Sequence, residues 1–138
     1  MAIKLSISLW IQGSVQEALA YYTRIFPEAK VGQSSASVGT FSFGGMSVVL
    51  LGDGMERPTM ALSTVVQCDT SQELNHIWNG FLEEGQAAQC GWIQDKYGFS
   101  WQVVPKALNT WLSHPQFGSE NMERMRSMVK LDEALFLK

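Results

Sequence analysis

SVQE at Ser14–Glu17 is followed 56 residues later by TSQE at Thr70–Glu73, and GMSVV at Gly45–Val49 is followed 53 residues later by GFSWQ at Gly98–Gln102. The first pair are capping boxes, in which a Ser or Thr side chain accepts a backbone N–H at a helix start and the Glu reaches back towards the cap. Signals that recur in the same order predict one supersecondary unit that is present twice.

The helices that begin at these caps carry matching apolar stripes at the spacing of a buried helix face. The stripe Ala18, Tyr22, Ile25 and Phe26 corresponds to Leu74, Trp78, Phe81 and Leu82. Pro27 ends the first helix and Gly85 the second, as expected for residues that stop helices. The agreement predicts that both helices pack in the same way.

Apolar alternation predicts a strand before each helix and short strands after it. Strands are expected at 3–11, 29–36, 38–43 and 46–51, and again at 61–68, near 87–94 and at 99–104. The unit is strand–helix–strand–strand–strand, and the fold class is α+β, with tandem βαβββ modules that form a curved mixed sheet and C-terminal helices.

The length suits one domain over residues 1–138. We expect a first module at 1–52, a linker at 53–60 that is rich in Gly, Pro and charge, a second module at 61–105, and a helical tail at 106–138. In the tail, Met122, Met125 and Val129 would form a stripe on one helix.

Composition excludes several classes of protein. The net charge of −3 predicts no nucleic-acid partner, and no apolar run is long enough to cross a membrane. Two cysteines, Cys68 and Cys90, are too few for a disulfide scaffold, and the N-terminus lacks signal-peptide architecture. We therefore expect a cytoplasmic protein.

One segment identifies a family by resemblance. The run CGWIQDKYGFSWQVVP at Cys90–Pro105 resembles the signature of the PhnB-like proteins, often called 3-demethylubiquinone-9 3-methyltransferase domain proteins. Tyr21–Pro27 and the tail ending at Lys130–Asp132 are similar to the same group, so the resemblance covers essentially the whole chain. The group is a branch of the vicinal oxygen chelate superfamily, which includes glyoxalases, dioxygenases and bleomycin-resistance proteins. Membership implies a glyoxalase-like fold, a cavity between the two modules, and a homodimer.

The resemblance also implies where a metal would bind. In this superfamily a divalent metal, where present, is held by the first and last strands of each module. Matching the capping box and Gly-x-Ser turn of each module to glyoxalase-like sequences implies that these positions are Ile7, Val49, Ser63 and Gln102. A slip of one residue in the first strand would offer Ser6 instead of Ile7. None is the His, Asp or Glu that such metals need. We therefore expect neither a metal nor another cofactor.

The same four positions predict a mainly apolar cavity with two polar groups, which suits a small organic ligand. Trp10 and Trp101 are further candidates for its lining. The alternative is that these residues fill a closed core.

Three other residues could carry chemistry. Asp95 and Lys96 are either an acid–base pair at the cavity mouth or, as we favour, a turn in which Asp95 caps Tyr97-Gly98. Cys90 lacks a neighbouring base that would activate a thiol, so a structural role is favoured. Cys68 precedes a helix start, which could lower its pKa, but a small buried apolar role is favoured.

The sequence thus predicts a small-molecule-binding protein of the glyoxalase and bleomycin-resistance type that lacks the usual metal. The alternatives are an isomerase, lyase or dioxygenase with atypical ligands or with metal-free acid–base groups, and a protein with a filled cavity that acts through its tail or dimer surface. Methyl transfer is not expected, because Gly44-Gly45 and Gly52–Gly54 lie in a hairpin and a linker rather than in a cofactor-binding loop.

Overall fold

The computed structural model describes residues 2–138, which divide after Arg57 into two compact units. The division lies within the linker expected at 53–60. That the two units belong to one domain stays a prediction, and each is described separately.

The first unit is a four-stranded mixed sheet with one helix. Its elements are β1 (Ser6–Trp10), α1 (Val15–Ile25), β2 (Lys30–Ser34), β3 (Val38–Phe43) and β4 (Met46–Leu51). The strand order is β1-β4-β3-β2. β1 pairs with β4 in parallel, and the other pairs are antiparallel.

Local chemistry explains these boundaries. The Ser14 hydroxyl accepts the Glu17 N–H at 3.2 Å, so α1 begins at the expected cap. Gly44 and Gly45 have φ angles of 58° and 81°, and two residues of positive φ make the tight turn that joins antiparallel strands. Tyr22 of α1 stacks on Phe41 of β3 with ring centroids 5.6 Å apart, so the helix covers one face of the sheet.

The second unit repeats this plan. Its elements are β5 (Ser63–Cys68), α2 (Ser71–Leu82), β6 (Gln86–Ala87), β7 (Trp92–Gln94) and β8 (Ser100–Pro105). The order β5-β8-β7-β6, with β5 parallel to β8, matches that of the first sheet. The predicted unit of strand, helix and three strands is confirmed in both copies, as is the α+β class.

The strand expected near 87–94 is two strands, and that expectation was wrong. Cys90 and Gly91 have φ angles of 61° and 81°, in the left-handed region that breaks a strand. Their N–H groups donate to the carbonyls of Met128 and Val129 at 2.9 and 2.8 Å. The backbone between β6 and β7 therefore holds the C-terminal tail instead of continuing the sheet.

The tail is partly helical, with α3 (Leu108–Leu112), α4 (Gly118–Arg126) and a 3-10 turn (Glu133–Leu135). Its apolar side chains form a cluster with Val104 of β8: Leu108, Trp111, Met128, Leu131 and Phe136. The predicted stripe that ends at Val129 was wrong, because α4 ends at Arg126 and Val129 is exposed. No helix within the described chain has the length and apolar character needed to cross a membrane.

The repeated helix stripe is confirmed at three of its four positions. Ala18, Tyr22 and Ile25 are buried, as are their counterparts Leu74, Trp78 and Phe81. Phe26 is buried against Phe43, but its counterpart Leu82 is 43% exposed. The helices end differently: α1 leaves the helical conformation at Phe26, whereas α2 continues through Leu82 and directs it outwards.

This difference predicts that substitution of Phe81 lowers the free energy of unfolding more than substitution of Leu82. Phe81→Ala should lower the free energy of unfolding by about 3–5 kcal/mol, because Phe81 is fully buried and stacks on Trp101. The matched control, Leu82→Ala, should cost only about 1 kcal/mol or less. Urea denaturation of the two variants checks this, and equal losses would contradict the assignment of faces.

Candidate functional site

The strand register decides which residues share a face. Trp101 stacks on Phe81 of α2 with ring centroids 4.9 Å apart, so it lies on the helix-covered face of the second sheet. Gln102, the next residue, points to the opposite face, which we call the open face. There its Nε2 atom donates to Ser63 Oγ at 2.9 Å, joining β8 to β5. The structure therefore brings together two of the predicted site residues, Gln102 and Ser63.

Ser100 adds a third polar group to this face. It is aligned with Ser63 on β5 and with Gln94 on β7. The residue is only 5% exposed, and within the described chain its hydroxyl has no hydrogen-bond partner. A buried hydroxyl without a partner carries a free-energy cost, and it marks a place where a water or a ligand atom would be stabilised. Sequence reasoning missed Ser100, although the G-x-S repeat contains it.

A cavity of about 280 Å³ lies beside Gln102. Its lining is Val65, Gln67, Gln102, Val104, Pro105, Leu108 and Asn109. None of these residues is ionisable, and they offer three carboxamide groups among apolar walls. Such a lining can orient an uncharged organic molecule by hydrogen bonds, but it supplies no acid or base.

In the first sheet the register separates two predicted site residues. Ile7 is aligned with Val48, which is buried under α1, whereas Val49 is aligned with Ser8 on the open face. Ile7 and Val49 therefore lie on opposite faces, contrary to the expectation that both line one cavity. Ser6, the alternative that a slip of one residue offered, shares the face of Val49.

The expected site position in the first strand is one residue too late for a simple reason. Ser6 is aligned with Ser47 in the first sheet as Ser63 is with Ser100 in the second. The chain runs eight residues from Ser6 to the cap Ser14, but seven from Ser63 to the cap Thr70. Counting back from the caps therefore placed the first strand one residue out of register.

The two tryptophans also differ in position. Trp10 lies on the open face of the first sheet, 40% exposed, and its Nε1 donates to the Gly52 carbonyl at 3.1 Å. Trp101 lies under α2 and is part of the core. Trp101, a candidate for the cavity lining, therefore lies on the face opposite to Gln102, because adjacent strand residues point to opposite faces.

Asp95 is a turn residue, as favoured from the sequence. It is 3% exposed, and its Oδ1 atom accepts the N–H groups of Tyr97 and Phe99 at 2.8 and 3.0 Å. Its Oδ2 atom accepts Trp101 Nε1 at 2.9 Å. Both carboxylate oxygens are thus engaged in holding the β7–β8 turn. Lys96 is partly exposed, with its Nζ 3.2 Å from Glu84.

The cysteines have structural surroundings. Cys90 is a free, partly buried thiol in the left-handed backbone position described above. Burial raises the pKa of the Cys68 thiol to about 11, and the negative charges of Glu73 and Asp69 add to this rise. The pKa of the thiol is thus raised rather than lowered, and Cys68 is buried, so its favoured role as a small buried residue is confirmed.

Comparison with known sequences establishes the family. The sequence profile described as 3-demethylubiquinone-9 3-methyltransferase matches residues 3–104. The chain belongs to this family. The resemblance carried by Cys90–Pro105 is therefore confirmed. No curated protein matches the chain.

Solved structures show the same fold. The PhnB protein of Bacillus cereus is 22% identical, with a TM-score of 0.64 over 74% of this chain and 99% of that one. A possible glyoxalase from B. cereus is 13% identical, with a TM-score of 0.56 over 73% and 96%. A fosfomycin resistance protein from Listeria monocytogenes, complexed with Mn(II) and sulfate, is 13% identical, with a TM-score of 0.57 over 73% and 87%. These likenesses show the fold, which is the glyoxalase-like α+β fold of tandem modules that was expected.

The residues of this chain do not fit the superfamily's divalent metal. Within residues 2–138, no three His, Cys, Asp or Glu side chains come together as ligands. On the open face of the second sheet the donor set is hydroxyl and carboxamide, which are weak ligands for transition metals. Ser63 and Gln102 would supply two of the ligands, but they are hydrogen-bonded to each other.

Because Asp95 holds the β7–β8 turn, we expect its substitution to lower the stability of the protein strongly. Asp95→Ala should lower the free energy of unfolding by about 3 kcal/mol, because three N–H donors lose a buried acceptor. Lys96→Met, at the adjacent partly exposed position, should change it by about 1 kcal/mol or less. Chemical denaturation measures both, and an unaltered Asp95→Ala protein would show that the turn does not depend on this carboxylate.

The raised pKa of Cys68 predicts that the stability of the folded protein depends on pH. Because its pKa is about 11 in the folded protein and 9.0 ordinarily, the unfolded chain loses the thiol proton first as the pH rises. The thiol should therefore make the folded state progressively less stable from about pH 9 to about pH 11. Unfolding curves of the wild type and Cys68→Ala across this range measure the effect. The stability of the variant should fall less steeply with pH, and parallel curves would contradict the assignment.

Proposed function

We propose that this protein binds a small, uncharged organic molecule on the open face of the second sheet, at Gln102, without a divalent metal. The observation that carries the proposal is the cavity of about 280 Å³ beside Gln102. On the same face, two residues along β8 and outside the lining of that cavity, the buried Ser100 hydroxyl lacks a partner within the described residues. A ligand atom that bonded this hydroxyl would remove the cost of leaving it unsatisfied.

The neighbouring groups supply complementary hydrogen bonds. Ser63 Oγ accepts from Gln102 Nε2, which leaves the Ser63 O–H free to donate and Gln102 Oε1 free to accept. Gln67 and Asn109 add carboxamides at the cavity wall. A ligand with both a donor and an acceptor, such as an amide or a hydroxy ketone, suits this set.

The cavity also limits the ligand. Its volume of about 280 Å³ lies near the lower end of ligand pockets, and Val65, Val104 and Leu108 give it apolar walls. A charged ligand would be desolvated here without a counter-charge, at a substantial cost in free energy. We therefore favour a neutral molecule with a compact apolar body.

The alternative function is an enzyme of the isomerase, lyase or dioxygenase type. Such a reaction needs an acid, a base or a metal, and the lining of the Gln102 cavity has no titratable group. Asp95 already accepts three hydrogen bonds in its turn. Binding is therefore the better-supported proposal, and a cytoplasmic homodimer is proposed with it by resemblance to the superfamily.

Methyl transfer is not proposed, although the family description names it. Loops that bind such cofactors follow a parallel strand and open a helix at the edge of a doubly wound sheet. Here Gly44-Gly45 is a hairpin turn, and the segment around Gly52 runs into the linker.

Ligand screening with a matched pair of variants tests the proposal. A panel of neutral amides, alcohols and ketones should contain compounds that raise the melting temperature and bind saturably. Gln102→Ala should weaken these compounds at least fivefold, because about 1 kcal/mol or more is lost with a buried hydrogen bond. Ser100→Ala should weaken them as well, whereas the exposed Gln86→Ala should not.

Two results would overturn the proposal. One is a panel that leaves the melting temperature and tryptophan fluorescence unchanged at millimolar concentration. The other is binding that Gln102→Ala and Ser100→Ala leave as tight as in the Gln86→Ala control.

A further inference from the structure

A second concave surface lies on the open face of the first sheet, with a volume of about 350 Å³. One cross-strand row runs through it over all four strands. The row is Ser6 on β1, Ser47 on β4, Ser42 on β3 and Lys30 on β2. Since neighbouring strands are about 4.8 Å apart, this row presents three hydroxyls and an ammonium group side by side.

The charge of this surface has one sign. Lys4 and Lys30 both line it, and among its described lining residues there is no Asp or Glu. Within residues 2–138 neither lysine forms an ion pair, and the hydroxyls of Ser6, Ser42 and Ser47 make no hydrogen bond. No described residue therefore competes for these five groups, and neighbouring members of the row can bind one external acceptor together.

Two further residues shape the surface. Thr40 Oγ1 accepts the Gln33 N–H at 2.7 Å, so its own O–H proton is left to donate. Gly32 lies beside it, and a Cβ atom there would come within 2.6 Å of Thr40 Oγ1. Glycine thus keeps the Thr40 hydroxyl accessible from the edge of the sheet.

We propose that this surface binds the oxyanion group of a small molecule, a phosphate or a carboxylate, with Lys4 and Lys30 supplying charge and the serine row supplying hydrogen bonds. Ammonium and hydroxyl groups are donors suited to such oxygens, and a charge-assisted bond is stronger than a neutral one. A cation has no counter-charge on this surface. The proposal rests on residues of the first unit alone and does not use Gln102.

The test uses inorganic phosphate and acetate as probes, titrated at low ionic strength while backbone amide NMR signals are followed. Saturable shifts at Ser6, Ser42 and Ser47 are expected, and they should weaken as salt is added. Lys30→Met and Ser47→Ala should each weaken binding about tenfold. Lys106→Met, a lysine outside this surface, should leave it unchanged and serves as the control. Lys4→Met provides a second charge variant at an exposed position.

The two probes and the variants distinguish the possible outcomes. Phosphate and acetate that displace one another support a general oxyanion site, and phosphate alone supports a site for phosphate groups. Shifts that grow linearly without saturating, or equal binding by Lys30→Met and Lys106→Met, would overturn the proposal. Gln102→Ala should bind phosphate like the wild type, so failure of the neutral-ligand proposal would leave this one standing.

Discussion

The parallel pairing of the first and last strands of each unit is the constraint on which the rest of the structure depends. The helix covers one face of each sheet, so β1–β4 and β5–β8 pairs divide their side chains into a buried set and an open set. This division decides which side chains can meet in a site. Gln102 reaches Ser63 because it lies on the open face, while Trp101 and Ile7 lie towards the helices.

The signature segment of the family builds the scaffold around the candidate site. Asp95 accepts the N–H groups that close the β7–β8 turn and fixes the Trp101 indole. Cys90 and Gly91 leave the sheet to bind the backbone of the tail. These contacts position β8, and with it Ser100 and Gln102. The residues of the signature that look most reactive are thus the ones that hold the strands in place.

The two open faces have diverged chemically while their frames stayed alike. The first has serines and lysines, the donors proposed for an oxyanion, whereas the second has carboxamides among apolar side chains, the lining proposed for a neutral molecule. Neither carries the histidines and carboxylates of a metal centre within the described chain. A duplicated fold can hold different ligands because the sheet depends on backbone pairing, which leaves the open-face side chains free to vary.

The sequence alone determined the order of the elements, both helix starts and most of the two buried stripes, since caps and apolar spacing act locally. It also determined that no His, Asp or Glu stands at the four superfamily positions. Only the tertiary structure decided that Ser6 rather than Ile7 shares the face of Val49, because one extra residue before α1 changes the register without leaving a local signal. The break at Cys90–Gly91 likewise depends on hydrogen bonds to residues far along the chain. The burial of the Ser100 hydroxyl without a partner depends on the packing around it. No local pattern in the sequence indicates either feature.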